Sequence, residues 1–238
     1  MTLTLAIDIG GTGVKAIVLD GAGGLATERV RVKTPRPATA EAVLAAIDAL
    51  VAPLGDFDRI SVGFPGVVID GVCKTAVNLD PTWVDLPFAR VLAGRFGKPA
   101  RVLNDAGVQG YAVIARKGVE MLLTFGTGMG CAIYVDGKYV PNLELAHHPF
   151  GNGKTYEEYV GVEALEHVGR KKWSKRVHKV VEQVLPIWNP TRLYLGGGNA
   201  KHIRFELPPN VEIVSNLAGL AGGFALWADV DAAAAAAR

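Results

Sequence analysis

The stretch from Leu5 to Asp20, "LAIDIGGTGVKAIVLD", consists of two short apolar runs separated by adjacent glycines. The runs predict two buried strands, and the glycines predict a tight turn between them. A plain hairpin explains the glycines. It does not explain a carboxylate at Asp8 within a strand, or Thr12 and Lys15 at the turn. These polar residues make the turn a candidate binding site.

The same pattern recurs in "VEMLLTFGTGMGCAIYVDGKYV", residues 119–140, as an apolar strand, a glycine turn, a second apolar strand and an Asp-Gly turn. This repetition predicts two lobes of similar topology, each a mixed sheet flanked by helices, with both glycine turns facing a shared cleft. We expect residues 1–104 to form an N-terminal lobe joined by a C-terminal helix, residues 217–238, and residues 105–216 to form a C-terminal lobe.

Helical periodicity and capping residues predict helices between the strands. Thr39 is the expected N-cap of the first one, and Gly55 follows its end. Further helices are expected at residues 88–97, at residues 106–118, ending at Gly118, and at residues 156–168, 171–185 and 217–228.

Composition limits the classes of protein to which the chain can belong. Half of the 238 residues are apolar and the net charge is +2, which indicates a globular protein without a global field for nucleic acid or an anionic membrane. The two cysteines, Cys73 and Cys131, lie far apart in apolar surroundings, so we expect a reducing compartment, the cytoplasm. Neither a signal peptide nor a membrane-spanning segment is visible.

The glycine turns predict phosphate binding. Glycine permits positive φ and lets backbone N–H groups approach an anion closely. A single "GTGMG" is weak evidence, because ordinary hairpins use such turns. The pair is stronger, and "GGGNA" at 196–200 is expected to open a helix whose N-terminus adds donors. The predicted phosphate-binding residues are Asp8, Gly10, Gly11, Thr12, Lys15, Gly126, Thr127, Gly128, Gly197 and Gly198.

The motifs "DIGGTGVK", "GFPG", "LNDA", "TFGTGMG", "ELAHH" and "LGGGNA" occur in the order found in the ROK family of sugar kinases. The chain resembles this family from Leu5 to about Trp227. The segments "DGKYVPNLELAHH" and "RLYLGGGNAKHI" are most similar to its polyphosphate glucokinase branch. The resemblance implies the two-lobed actin-like ATPase fold, and phosphorylation of glucose by inorganic polyphosphate, with or without ATP.

Asp105 is the candidate catalytic base. It follows the strand "ARVLN" at the start of a helix, where the helix dipole stabilises a carboxylate. Ordinary N-capping by Asp is the alternative. The matching Asp of the family is the base that receives the proton of the sugar hydroxyl, and Asn104 beside it is expected to bind sugar hydroxyls.

The resemblance implies further sugar contacts at Asn78, Glu144, His147 and Glu157. Glu144 and His147 match a Glu-x-Gly-His motif, in which Ala146 here replaces the glycine. Glu157 is equally typical of a solvent-facing helix residue, and Asn78 of a loop.

Many family members bind structural zinc through cysteines after the histidine, but residues 149–156, "PFGNGKTY", contain none. Two histidines do not complete a tetrahedral site, so we expect no zinc. We expect Mg²⁺, held by Asp8 through water.

A basic run, "GRKKWSKRVHK" at 169–179, is typical of a solvated helix face. Alternatively, Lys171, Lys172, Lys175 and Arg176, with Lys201 and Arg204, extend the phosphate site toward a long polyanion.

The expected protein is a cytoplasmic, homodimeric glucokinase that uses polyphosphate, ATP or both and contacts neither nucleic acid nor membrane. The alternatives are a non-catalytic sugar or nucleotide sensor of the same fold, an ATP-dependent kinase for another hexose, and an actin-like filament protein.

Overall fold

The computed structural model of the chain describes residues 2–77, 79–141, 143–214 and 218–228. Among these, the residues up to Ala112 and those from Ala218 onward form one compact unit, and the residues from Val113 to Val214 form the other. None of the helices in these ranges combines the length and hydropathy needed to cross a bilayer.

The first unit is built on a five-stranded sheet of order β3-β2-β1-β4-β7, as far as the described residues show. The opening stretch forms an antiparallel hairpin, as predicted, and β1 also pairs in parallel with β4, which pairs in parallel with β7. The strands of this unit are β1 (Thr4–Ile9), β2 (Val14–Leu19), β3 (Val30–Val32), β4 (Arg59–Phe64), the short pair β5 (Val68–Ile69) and β6 (Val72–Cys73), and β7 (Ala100–Asn104).

Three helices of this unit follow the strands, namely α1 (Ala40–Val51), α2 (Phe88–Phe96) and α3 (Asp105–Tyr111). Thr39 caps α1 as predicted, because its side chain accepts a hydrogen bond from the Ala42 N–H at 3.2 Å. An aromatic cluster of Phe64, Trp83 and Phe88 fills the core beneath the sheet, with ring centroids 4.9 to 6.1 Å apart.

The second unit repeats this plan. Its sheet has the order β10-β9-β8-β13-β14, with the same succession of antiparallel and parallel pairs within the described ranges. The repetition found in the sequence is therefore a repetition of sheet topology. The strands are β8 (Val119–Phe125), β9 (Met129–Val135), β10 (Lys138–Val140), β11 (Pro149–Gly151), β12 (Lys154–Thr155), β13 (Arg192–Gly196) and β14 (Val211–Ile213).

The prediction of a single helix at residues 156–168 was wrong, because two helices of this unit cover that segment. Helix α4 (Tyr156–Val160) ends at Gly161, whose backbone is extended (φ −64°, ψ 177°), and α5 (Val162–Trp188) begins directly after it. Helix α5 is kinked at Gly169, where φ is +74°. The predicted basic helix, residues 171–185, is the part of α5 beyond this kink.

The predicted helix at residues 106–118 is also too long, since α3 ends at Tyr111. The boundary expected at 104/105 falls before α3, whereas α3 belongs to the first unit. The reason is its packing on the C-terminal helix α6 (Ala218–Ala225), where a Cβ at Gly222 would collide with the Val108 carbonyl oxygen. Helix α6 ends before the predicted 228, and the rest of the expected C-terminal helix, residues 229–238, lies outside the described residues.

Candidate active site

The first glycine turn is fixed by three hydrogen bonds. The Gly10 N–H donates to the Gly13 carbonyl oxygen at 3.0 Å, and the Thr34 hydroxyl donates to the Gly10 carbonyl oxygen at 2.6 Å. The Arg36 guanidinium donates to the Gly11 carbonyl oxygen at 2.7 Å. The predicted Gly10, Gly11 and exposed Thr12 therefore form one ordered turn with a cation beside it.

Positive φ is not the reason for glycine here, contrary to the sequence argument, because none of the glycines of this turn has it. At Gly13, a Cβ would lie 2.7 Å from the Nε atom of Arg31 and 3.2 Å from the Val32 carbonyl oxygen, so the turn and β3 approach each other closely there. Arg31 is exposed, so its side chain brings a second cation to the turn.

Asp8 and Lys15 form an ion pair beside this turn. They stand opposite each other on β1 and β2, and the Lys15 ammonium donates to Asp8 Oδ2 at 2.7 Å. The Asp8 side chain is 17% exposed. One carboxylate with water and phosphate oxygens is a usual way to hold Mg²⁺ in kinases, so Asp8 fits the predicted role. Elsewhere, the described ranges contain no cluster of three or more His, Cys, Asp or Glu side chains suited to a metal.

The sheet brings Asp8 and Asp105 to the same end, where the carboxyl termini of β1 and β7 lie. Asp8 is in register with Gly63 on β4, and Gly63 is in register with Leu103 on β7, two residues before Asp105. A Cβ at Gly63 would lie 3.3 Å from the Asp105 Cα atom. The missing side chain at Gly63 therefore lets Asp105 sit directly over the neighbouring strand.

Asn104, and not Asp105, is the N-cap of α3. Its side-chain oxygen accepts from the Ala106 and Gly107 N–H groups at 3.0 and 3.4 Å, and its amide nitrogen donates to the Gly66 carbonyl oxygen at 3.2 Å. Asp105 is the first helical residue, with Oδ1 2.7 Å from the Ala106 nitrogen. Capping thus accounts for Asn104 and leaves one N–H of its amide for a sugar, whereas the Asp105 carboxylate stands in the positive end of the helix dipole.

The second glycine turn is held from two sides. The Asn199 side-chain amide donates to the Gly126 carbonyl oxygen, and the Val162 N–H donates to the Thr127 carbonyl oxygen, both at 3.0 Å. The N–H groups of Thr127 and Gly128 have no partner among the described residues, and Thr127 is exposed. The turn therefore presents open donors, as a phosphate site requires.

Glu157 lies against this turn rather than facing solvent. Its Oε2 atom accepts from the Met129 N–H at 3.2 Å, and a Cβ at Gly128 would overlap the carboxylate. Gly128 is thus required by the approach of Glu157. The neighbouring Glu158 is the exposed one, and it forms a reciprocal capping box with Thr155 at the start of α4.

The "GGGN" segment adjoins the second turn. Gly197 has φ +85° and passes so close to the Phe125 backbone that a Cβ would meet it, and the Asn199 N–H donates to the Phe125 carbonyl oxygen at 3.0 Å. Gly198 is exposed beside it. The helix predicted after this segment is wrong, because only a single 3-10 turn, Ala200–His202, follows and offers no helix N-terminus.

Glu144 and His147 are neighbours, with 3.6 Å between His147 Nε2 and Glu144 Oε2. Burial raises the pKa of Glu144, His147 opposes the shift, and the charge of Glu157 adds to it, which indicates that the two carboxylates are close. Ala146, which replaces the family glycine, sits buried in a 3-10 turn without positive φ, so the substitution causes no backbone strain.

Sequence reasoning missed three side chains that shape the turns, namely Arg31, Arg36 and Asn199. Arg36 lies 25 positions from the carbonyl it contacts. Asn199 was visible in "GGGNA", and an amide after a glycine run was the signal available for it. Asn78 lies outside the described residues.

A family model described as "ROK family" matches residues 4–142. The chain belongs to the ROK family. Polyphosphate glucokinase of Mycobacterium tuberculosis (strain H37Rv) is 35% identical over 203 residues, covering 81% of this chain and 76% of that protein. The Mycobacterium leprae (strain TN) polyphosphate glucokinase is 31% identical over 242 residues, covering 94% of this chain and 74% of that protein. These identities confirm the resemblance to this branch of the ROK family.

Among solved structures, inorganic polyphosphate/ATP-glucomannokinase from Arthrobacter sp. strain KM matches with a TM-score of 0.86 and 33% identity. The match covers 96% of this chain and 99% of that chain. Together with the two repeated sheets, it confirms the expected α/β fold of the ROK sugar kinases, an actin-like ATPase fold.

Proposed function

We propose that this ROK protein is a glucokinase-type phosphotransferase that moves a phosphoryl group from inorganic polyphosphate or ATP to the 6-hydroxyl of glucose. The observation that carries the proposal is the position of Asp105. Gly63 gives it room at the end of the sheet where Asp8 and the first glycine turn also lie. A base and a phosphate-binding turn thus lie at the carboxyl end of the same sheet.

Asp105 acts as the base in this proposal. Its carboxylate orients the sugar hydroxyl and accepts the proton as the oxygen attacks phosphorus. In a loose phosphoryl-transfer transition state the proton leaves late, so placement of the hydroxyl matters more than a high pKa. This explains how a carboxylate at a helix N-terminus, where the dipole stabilises negative charge, can serve.

Charge on the phosphates is neutralised by cations and N–H groups. In the first unit, Lys15 and Arg36 stand at the turn of Gly10, Gly11 and Thr12. In the second unit, the donors are the open N–H groups of Thr127 and Gly128, beside Gly126, Gly197 and Gly198. Asp8 would hold Mg²⁺ through water, and the ion would neutralise phosphate oxygens when bound.

Sugar hydroxyls are assigned to Glu144, His147 and Glu157, together with the remaining amide N–H of Asn104 and with Asn78. Carboxylates accept hydrogen bonds from hydroxyls, and the shared location of Glu144 and Glu157 supports a common ligand for them. The two carboxylates repel each other, and hydrogen-bond donors from a sugar would relieve this repulsion.

The names of relatives support the choice of substrates. Both mycobacterial relatives are called polyphosphate glucokinases, and the Arthrobacter enzyme is named for both inorganic polyphosphate and ATP. We also propose a cytoplasmic, Mg²⁺-dependent homodimer without structural zinc. Two buried free cysteines, Cys73 and Cys131, support the reducing compartment. Metal analysis, a chelator titration and light scattering test the remaining parts.

The test is an assay of the purified protein over glucose, mannose and other hexoses, with ATP or polyphosphate as donor. Formation of glucose 6-phosphate with either donor is expected. Glucose binding without turnover would make the protein a sensor, and turnover of another hexose alone would change the substrate.

A further inference from the structure

A pocket of about 530 Å³ lies in the second unit, between one face of α5 and the segment that follows the "GGGN" glycines. Arg170, Lys171 and Lys175 line it from the helix, and His202 and Arg204 line it from the opposite wall. This is one part of the basic run that the sequence alone could not assign.

The residues of the basic run lie on different faces of the helix. Residues 170, 171, 174, 175 and 178 recur at helical spacing and line the pocket. Trp173 and Val177 are fully buried in the core. Arg176 donates to the Tyr159 carbonyl oxygen at 3.1 Å and covers the Tyr159 ring, so it is engaged elsewhere. Lys172 and Lys179 are exposed and do not line the pocket.

The opposite wall is fixed to the helix. The Arg204 N–H donates to the buried Ser174 hydroxyl at 2.8 Å, and the Arg204 guanidinium donates to the Lys201 and Ile203 carbonyl oxygens at 2.7 Å. The His178 ring stacks on Phe205 with 4.4 Å between centroids and 22° between planes. The cations therefore lie on two walls that are joined by a hydrogen bond and a ring stack.

The pocket favours an anion. Its lining contains four permanent cations, Arg170, Lys171, Lys175 and Arg204, and no carboxylate. Partial burial lowers the pKa of His202, and repulsion by Arg170, Lys201 and Arg204 lowers it further. A bound polyanion would cancel this repulsion.

One wall of the pocket follows the second glycine turn closely along the chain. Asn199 holds the Gly126 carbonyl oxygen, and His202 and Arg204 follow it by three and five residues. Five residues span at most ~18 Å, so the Arg204 cation lies no farther than this from the residue that holds the turn.

We propose that this pocket holds the distal phosphates of an inorganic polyphosphate chain whose terminal phosphate lies at the second glycine turn. The inference rests on the proposed function for its donor. A nucleoside would not use four cations, and one face of the Phe205 ring is already covered by His178.

The test compares two double variants of one helix with the same loss of charge. Lys171→Gln/Lys175→Gln removes pocket cations, and Lys172→Gln/Lys179→Gln removes none of them. Binding of long-chain polyphosphate without sugar, measured by calorimetry, is expected to weaken about threefold to tenfold in the first variant only, with a smaller salt dependence. Binding of ATP is expected to be equal in both variants and the wild type.

A second readout is the imidazole titration of His202 by NMR, assigned with His202→Gln. Long-chain polyphosphate is expected to raise the pKa of His202 in the wild-type protein and to raise it less in Lys171→Gln/Lys175→Gln. Equal polyphosphate binding by both double variants, or equal losses for ATP and polyphosphate, would overturn the pocket assignment. Both readouts measure binding alone, whereas loss of the proposed function would appear as an absence of glucose 6-phosphate with every donor.

Discussion

At the scale of single residues, Glu144 shows how the environment of a candidate sugar ligand becomes a pH dependence. Burial raises its pKa above the ordinary 4.5, and Glu157 adds to this against the opposing effect of His147. The folded state therefore binds more protons at Glu144 than the unfolded chain does. The stabilisation it gives is complete below the unfolded pKa and is lost as the pH rises through the folded pKa.

We expect Glu144→Gln, which cannot titrate, to gain in melting temperature relative to the wild type as the pH rises from about 4.5 toward neutrality. Glu158→Gln is the matched control with the opposite sign, because hydrogen bonds from Thr155 lower the pKa of Glu158. That variant should lose stability relative to the wild type as the pH rises from below the folded pKa of Glu158 to about 4.5, and should keep a constant difference at higher pH. Thermal unfolding between pH 3 and 7.5 measures both differences, and equal trends for the two variants would refute the assignment.

Gly197 and Gly126 provide a second comparison at this scale. A Cβ at Gly197 would meet the Phe125 backbone, and its φ is +85°, whereas a Cβ at Gly126 would meet nothing within 4 Å. We expect Gly197→Ala to reduce the free energy of unfolding by about 2 to 4 kcal/mol. Gly126→Ala should change it by less than about 1 kcal/mol. Denaturant unfolding of both variants decides the point, and similar losses would contradict it.

Much of the candidate site could be predicted from sequence because its residues lie in short motifs. "DIGGTGVK" places Asp8 opposite Lys15, and "LNDA" places Asp105 at the start of a helix. The role of Arg36 could not be read in this way, and for Glu157 the pattern left a solvent-facing position equally open. Each depends on contact with a turn distant in sequence, Gly11 and Gly128 respectively, and such contacts are fixed by tertiary packing.

At the scale of elements, α4 matters because it carries Glu157 and has only five residues. Thr155→Ala removes its cap, and we expect a loss of about 1 kcal/mol in unfolding free energy, together with severalfold weaker glucose binding as Glu157 loses its place. Thr39→Ala is the matched control, since it removes the same cap from α1 in the other unit. It should cost similar stability and leave glucose affinity unchanged. Urea unfolding and calorimetry measure both, and equal effects on glucose binding would contradict the role given to α4.

Most element types followed the sequence pattern, but several ends did not, and a 3-10 turn replaces the helix expected after "GGGNA". The apolar pattern of residues 106–118 continues past Tyr111. Helix α3 nevertheless ends there, because the chain leaves the first unit for the second. Gly161 breaks the predicted helix at 156–168, where a Cβ would meet the Glu157 and Thr127 carbonyl oxygens at 2.8 and 3.2 Å. In both places tertiary contacts override local helix propensity.

At the scale of the whole molecule, two units share one sheet order, and each opens with a hairpin whose glycine turn follows a central strand. This was predictable because the repeat is local in sequence. The return of the chain end to the first unit depends on long-range contacts. Ser61 donates to the Gly223 carbonyl oxygen and accepts from the Trp227 indole, at 2.6 and 2.9 Å. No local pattern encodes these contacts, although a C-terminal helix was expected to join the N-terminal lobe.

The central claim is that the molecule transfers a phosphoryl group with Asp105 as base, and the rate of glucose 6-phosphate formation by Asp105→Asn tests it most directly. The amide keeps the size and most of the hydrogen bonding of the side chain but cannot accept the proton. We predict a fall in kcat of about 10²- to 10⁴-fold, with glucose affinity by calorimetry within a few-fold of the wild type. Asp56→Asn, which alters an exposed carboxylate before β4, should leave both unchanged. Turnover by Asp105→Asn near the wild-type rate would contradict the account.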